Sequence, residues 1–129
     1  MWGKIKLRRD DILFSQYLRK KRNYICEVCK RFFPQGHGLQ VSHFWSRKHE
    51  CTRFSEVNCD IACIGDHMKF EQDPALYADW KLKKLGQKEY NKLKLAVHLS
   101  CKKDIIKNVM IIKKLSAEIP LKTTQKNKS

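Results

Sequence analysis

Cys26 and Cys29 form a knuckle in the stretch Ile25-Cys26-Glu27-Val28-Cys29-Lys30. A Cys-x2-Cys spacing aims two thiolates at one tetrahedral ion, and such an ion takes two further donors. Cys63 is the best third donor, because it opens a predicted helix where a backbone turn can aim it. Two residues compete for the fourth place: Asp66, at the CxxC-like offset, and His67, one residue on. Cys51 and Cys59 are weaker choices. The bland alternative makes Cys63 a small buried hydrophobe. A thioredoxin-like redox pair fits less well still, since no βαβ pattern surrounds the knuckle.

His43 lies between the two halves of this donor set. It ends a predicted strand, Leu39–Phe44, whose alternation puts it with Leu39 and Val41 and opposite Gln40, Ser42 and Phe44. A histidine in such a place is more often packed and hydrogen-bonded than catalytic. Its position shifts the balance, because closing the metal site would bring Asn58 and His67 toward it. A histidine base, an asparagine to orient it and a metal ligand on a helix are what metal-assisted phosphodiester hydrolysis requires.

These residues occupy the middle of a chain of 129 residues with net charge +15. The charge is segregated. Residues 1–23 carry +6, residues 24–79 carry −2, and residues 80–129 carry +11. Two basic arms around a slightly acidic, Cys- and His-bearing centre favour a nucleic-acid partner. Solubility alone is the bland explanation of the lysines. No apolar run is long enough to cross a bilayer, and MWGKIKLRRDD is unlike a secretory signal. The expected location is therefore cytoplasmic, with no membrane partner and with disulfides disfavoured.

The elements that must position the site are mostly helices. Asp10 is the expected N-cap of a helix over residues 11–22, with acidic charge first, basic charge last and Asn23 to end it. Pro34-Gln35-Gly36-His37-Gly38 reads as a turn and residues 45–56 as loop. Asn58 opens a segment that is helical from about Ile64 and stops before Asp73-Pro74. Helices then follow at about 75–85, 87–99 and 103–116. Residues 120–129 read as a basic tail too polar to fold. The expected organisation is a basic N-terminal helix (1–23), a knuckle core (24–73), basic C-terminal helices (74–119) and a disordered tail (120–129), all in one compact domain.

From Asp10 to about residue 117 the chain resembles the NinG/Rap phage recombination endonucleases, a branch of the HNH (ββα-metal) nucleases. Asp11–Arg19 resembles the helix before that family's first CxxC. Ser42-His43-Phe44-Trp45-Ser46-Arg47 resembles its GHFxSR segment. Thr52-Arg53-Phe54-Ser55-Glu56-Val57-Asn58 resembles its TRF-acidic-x-N segment, and Cys63 follows that Asn at the family's distance. Glu71 to Gly86, with Tyr77 and Lys84, resembles the next helix.

The resemblance implies an α+β fold, mostly helical around a small zinc-stabilised ββα-metal core. It implies endonuclease activity on branched or recombining DNA, a phage origin and action in the bacterial host cytosol. His43 would be the general base and Asn58 the residue holding its geometry. Cys26, Cys29 and Cys63 would hold structural Zn2+. The family's remaining CxxC cysteine and the Asn after it are Asp66 and His67 here. Asp66 would then complete the zinc site and His67 would hold a catalytic Mg2+ or Mn2+, with a three-Cys, one-His zinc site as the alternative. Ser42 precedes His43 where many HNH enzymes have Asp, a better metal ligand. Arg47, Arg53 and Lys69 would contact DNA near the scissile bond. Arg19, Lys20, Lys21, Arg22, Lys81 and Lys84 would grip its arms. Two other readings stand beside this one: a zinc-stabilised nucleic-acid-binding accessory protein without catalysis, and a homodimer formed through the apolar helix around Ile105–Leu115.

Overall fold

The computed structural model describes residues 6–120, so the expected disordered tail over 120–129 lies, beyond Pro120, outside the described residues. The fold is mixed α and β. Helix α1 spans Arg9–Lys21 and strand β1 Leu39–His43, then a short helix α2 (Glu50–Arg53) leads to strand β2 (Cys59–Cys63). Helices α3 (Ile64–Gln72), α4 (Pro74–Leu85), α5 (Gln87–Ala96) and α6 (Ile105–Ala117) complete it. The helical expectations hold with small shifts at the ends. Two elements differ from them: α2 lies in the expected loop, and β2 precedes α3 as a true strand. Among the described residues, no helix is long and apolar enough to cross a membrane.

The strands form an antiparallel pair in which Leu39 faces Cys63 and His43 faces Cys59. Every residue of β2 is buried. That explains why alternation fails to reveal it, since a strand covered on both faces has no polar side. The core gathers Phe14, Tyr17 and Leu18 of α1 with Leu39, Ile61, Ala62 and Ile112. Helix α6 reaches it with Ile112 and also buries Val109, while Ile106 and Met110 stay exposed.

Helix α1 starts a turn's edge earlier than expected. Asp11, rather than Asp10, does the capping, by accepting the Arg8 backbone N–H at 2.8 Å. Asp10 takes the Arg8 guanidinium and accepts from Asn108 Nδ2 at 3.0 Å, which ties α6 to α1. Asn23 does take the left-handed conformation that ends the helix, with φ 62°.

Buried ions hold the remaining layers. Arg53 donates to Asp11 through Nε (2.9 Å) and Nη2 (2.6 Å), a bidentate pair with both side chains buried. Burial alone pushes the Asp11 carboxyl up, but Arg53 and the Arg8 N–H overcome it and hold it below its usual range. Asp60 of β2 receives the Lys81 ammonium at 2.9 Å, and Tyr77 Oη lies 2.6 Å away. This network seats α4 on the sheet. Breaking a buried pair from one side strands the other charge. Arg53→Ala is therefore expected to cost about 3–5 kcal/mol, read as a lower urea midpoint with an unchanged slope.

Candidate functional site

The knuckle forms as the spacing predicts. Ile25 and Phe32 pair across it, Lys30 takes φ 67°, and its N–H closes the turn on the Cys26 carbonyl at 2.9 Å. The backbone N–H groups of Cys29 and Cys63 both point at Cys26 Sγ, each at 3.4 Å. The turn from β2 into α3 delivers Cys63 and Asp66. Ligand atoms of Cys26, Cys29, Cys63 and Asp66 all lie within 4.8 Å of one another, a cluster able to hold a metal ion. Asp66 Oδ2 is 3.4 Å from Cys26 Sγ and 3.2 Å from Cys63 Sγ. A tetrahedron of zinc-thiolate size has edges of about 3.8 Å, which falls between these separations and the 4.8 Å limit. The Cys29 thiol is pulled down, first by a backbone hydrogen bond from Arg31. Burial pushes Cys63 up to about 11. A bound cation reverses that penalty, because a coordinating thiol is held deprotonated.

His67 stands apart from this cluster. Its Nδ1 is 2.6 Å from Ser42 Oγ, and its Nε2 is 3.2 Å from Glu71 Oε2. It lines a cleft of about 750 Å3 together with Ser42, His43, Arg47, Glu71 and Arg19. Asp66 and His67, the two candidates for the fourth place, are thus separated in space. Asp66 turns toward the cysteines, and His67 turns to the cleft.

Ser42 is buried, and its hydroxyl can donate or accept. It therefore satisfies His67 in either tautomer. The Glu71 carboxylate only accepts, so Nε2 carries the ring proton here and Nδ1 accepts from the Ser42 hydroxyl; a cation at Nε2 would take that proton's place. A carboxylate suits a hard divalent ion that keeps most of its other ligands as water or phosphate, whereas an imidazole suits first-row transition ions better. Glu71 was not among the expected site residues. Its signal was present as the i,i+4 spacing from His67 on α3.

His43 lies in the same cleft. Its Nε2 is 3.0 Å from the Arg53 carbonyl oxygen, which can only accept. Nε2 therefore carries the ring proton, and Nδ1 keeps a lone pair. Burial lowers the imidazole pKa to about 4; Arg47 and Arg53 oppose protonation further, against the Arg53 carbonyl and Asp11. The ring is neutral at pH 7 and able to accept a proton.

Asn58 is fully buried behind the cleft. Its side chain accepts from the Trp45 N–H at 2.8 Å and donates to the carbonyls of Trp45 (3.0 Å) and Thr52 (3.1 Å). It pins the turn after His43 to α2, whose next carbonyl, that of Arg53, holds the His43 ring. All of these Asn58 side-chain hydrogen bonds go to backbone groups.

The expected DNA contacts divide. Arg47 borders the cleft, 3.8 Å from Asp11, and Lys20 and Lys69 are exposed. Arg53 and Lys81 are 5% and 0% exposed and pair with Asp11 and Asp60 inside the protein. Arg22 spends its guanidinium on Glu27 and the carbonyls of Cys59 and Glu56. Lys84 pairs with Glu27 and Asp60, and Lys21 with Glu56. Arg19 lines the cleft but donates to the Ser15 and Gly36 carbonyls. Charge content marked these residues as basic, but only the folded chain shows which charges are already matched. Cys51 also departs from expectation. It is joined to Cys101 in a disulfide, where the cytoplasmic reading disfavoured one.

Comparison with known protein families, with curated proteins and with solved structures gives no match for this chain.

Proposed function

We propose that this protein is a metal-dependent DNA endonuclease of the HNH type, resembling NinG/Rap, that hydrolyses phosphodiester bonds in branched recombination intermediates. The observation that carries the reading is the shared cleft. A neutral histidine with one nitrogen anchored on a carbonyl faces the same space as the His67–Glu71 pair. In this reading β1, β2 and α3 are the ββα-metal unit, and Cys26, Cys29, Cys63 and Asp66 hold a structural Zn2+.

His43 Nδ1 takes the proton of the attacking water. Arg47 binds the phosphate beside it, and the incoming negative charge offsets the arginine's depression of His43 basicity. Ser42 fixes the His67 ring, and His67 with Glu71 would hold the divalent ion. Bound there, Mg2+ or Mn2+ would supply electrostatic stabilisation of the phosphate and leaving oxygen. The exposed lysines contact phosphates, which position a substrate without reading its bases, so selectivity for DNA shape fits better than selectivity for sequence.

The sparse donor set beside His43 favours one alternative, a zinc-stabilised DNA-binding accessory protein that does not cut. Labelled duplex, single-stranded, fork and four-way DNA separate the two. Cutting that requires Mg2+ or Mn2+ supports the nuclease; salt-sensitive binding without cutting in either metal leaves the accessory protein.

The two metal sites are expected to respond to different substitutions. His67→Ala keeps zinc and loses cleavage, while Asp66→Ala releases zinc and Asp66→Cys retains it. Metal analysis of the purified variants reads this directly. Zinc lost from His67→Ala would restore the three-Cys, one-His site.

A further inference from the structure

Cys51 and Cys101 are bonded across a separation of 50 residues, with Cα atoms 5.2 Å apart. Neither belongs to the metal cluster. Cys101 is exposed and Cys51 half-buried, so small thiols can reach the bond. Cys51 sits in α2, one residue before Thr52, whose carbonyl accepts from Asn58, and two before Arg53, whose carbonyl holds His43. Cys101 sits in the connector between α5 and α6. There Ser100, Cys101, Lys102 and Lys103 make no backbone hydrogen bond with other described residues. The sulfur bridge is thus a strong attachment of this connector to the turn that anchors the base.

We propose that Cys51 and Cys101 are a reversible thiol–disulfide pair, exchanging with low-molecular-weight thiols, whose oxidised state holds the α2 turn in register with His43. Lys102 and Lys103 follow Cys101 directly, and nearby ammonium groups favour the reactive thiolate. The remaining cysteine outside the metal cluster, Cys59, is buried with its thiol pushed up to about 12, so it does not compete.

The exchange runs in two steps. A protein thiolate attacks one sulfur of a small disulfide, forming a mixed disulfide and expelling one small thiolate. The second protein thiolate attacks the protein sulfur of that bond, forming Cys51–Cys101 and expelling the other. The protein sulfurs lose two electrons, the small disulfide gains them, and the two protons pass to the released thiolates.

Full-length, zinc-loaded protein is equilibrated in buffers of reduced and oxidised glutathione at graded ratios. Each sample is then acid-quenched and alkylated. Mass spectrometry is expected to show Cys51 and Cys101 becoming protected together as the ratio turns oxidising. Hydrogen exchange over residues 49–54 is expected to rise severalfold on reduction. The Cys51→Ser/Cys101→Ser variant is expected to show the reduced-state exchange at every ratio. Independent alkylation of the two cysteines at all ratios would overturn the proposal, and so would exchange over 49–54 that ignores the bond. The effect on cleavage rests on the nuclease reading: cutting should fall on reduction in wild type and stay low in the double variant. If neither redox state cuts DNA while exchange still switches, the pair stands and the nuclease reading fails. If both states cut equally, the link from the pair to His43 is lost.

Discussion

His43→Ala is expected to bind DNA as the wild type does and to cut it roughly 10²–10⁴-fold more slowly, the usual contribution of a positioned general base. The size follows from where the ring sits. It is held by one nitrogen on the Arg53 carbonyl, and the other nitrogen keeps its lone pair. Removing the ring deletes the proton acceptor and leaves Arg47 in place, so binding and chemistry separate. Asn58→Ala is a poorer test, because three hydrogen bonds inside the protein go with it and stability falls too. The pH dependence carries a sign. His43 works as a base only when unprotonated, and burial holds its pKa at about 4. Its contribution to kcat/KM is therefore full at neutral pH and lost as pH falls through about 4. Undiminished cutting by His43→Ala would place the base elsewhere and end this mechanism.

The second large effect is structural. Cys26→Ser, or chelation of the wild type, is expected to unfold the knuckle and abolish both binding and cleavage. Cys26 is fully buried, and its sulfur receives backbone N–H groups from both halves of the cluster. It therefore links the knuckle to the β2–α3 turn and, in the proposed site, would bind the ion as well. Structural zinc contributes an apparent binding free energy of about 10–16 kcal/mol at neutral pH. Whole domains are stable by only about 5–15 kcal/mol, so losing such an ion would remove most or all of the margin. Thermal melts with and without chelator, alongside metal analysis, check this. A melt that ignores the chelator, in a protein that carries no zinc, would remove the metal from the account. Asp66→Cys should protect against the chelator, since thiolate is a softer ligand than carboxylate.

Local chemistry in the sequence was enough to mark the knuckle, because two cysteines at that spacing leave few other uses. The same holds for α1 and α4. Charge order and Asn23 delimit the first, and Pro74 with Gly86 the second, since caps and breakers act over a few residues. Cys63 was legible as a candidate donor, with Asp66 and His67 both open for the fourth place, and His43 as a candidate base, from their order along the chain. Strand β2 was not legible as a strand, because it is buried on both sides and shows no alternation. Glu71 was readable in principle, as a carboxylate one helical turn from His67, but its meaning depends on α3 facing the cleft.

Tertiary structure alone decided the rest. Asp66 and His67 are adjacent in sequence, yet their directions from α3 differ enough to send one to the cysteines and the other to Ser42. Basic residues that look equivalent along the chain separate into buried partners of Asp11 and Asp60 and exposed ones able to meet phosphate. Cys51 and Cys101 meet only because α5 packs against α2. Spacing and capping are written locally, over a few residues. Which charge is neutralised, which side chain reaches a cleft and which cysteines pair depend on contacts between distant segments, and those exist only once the chain has closed around its core.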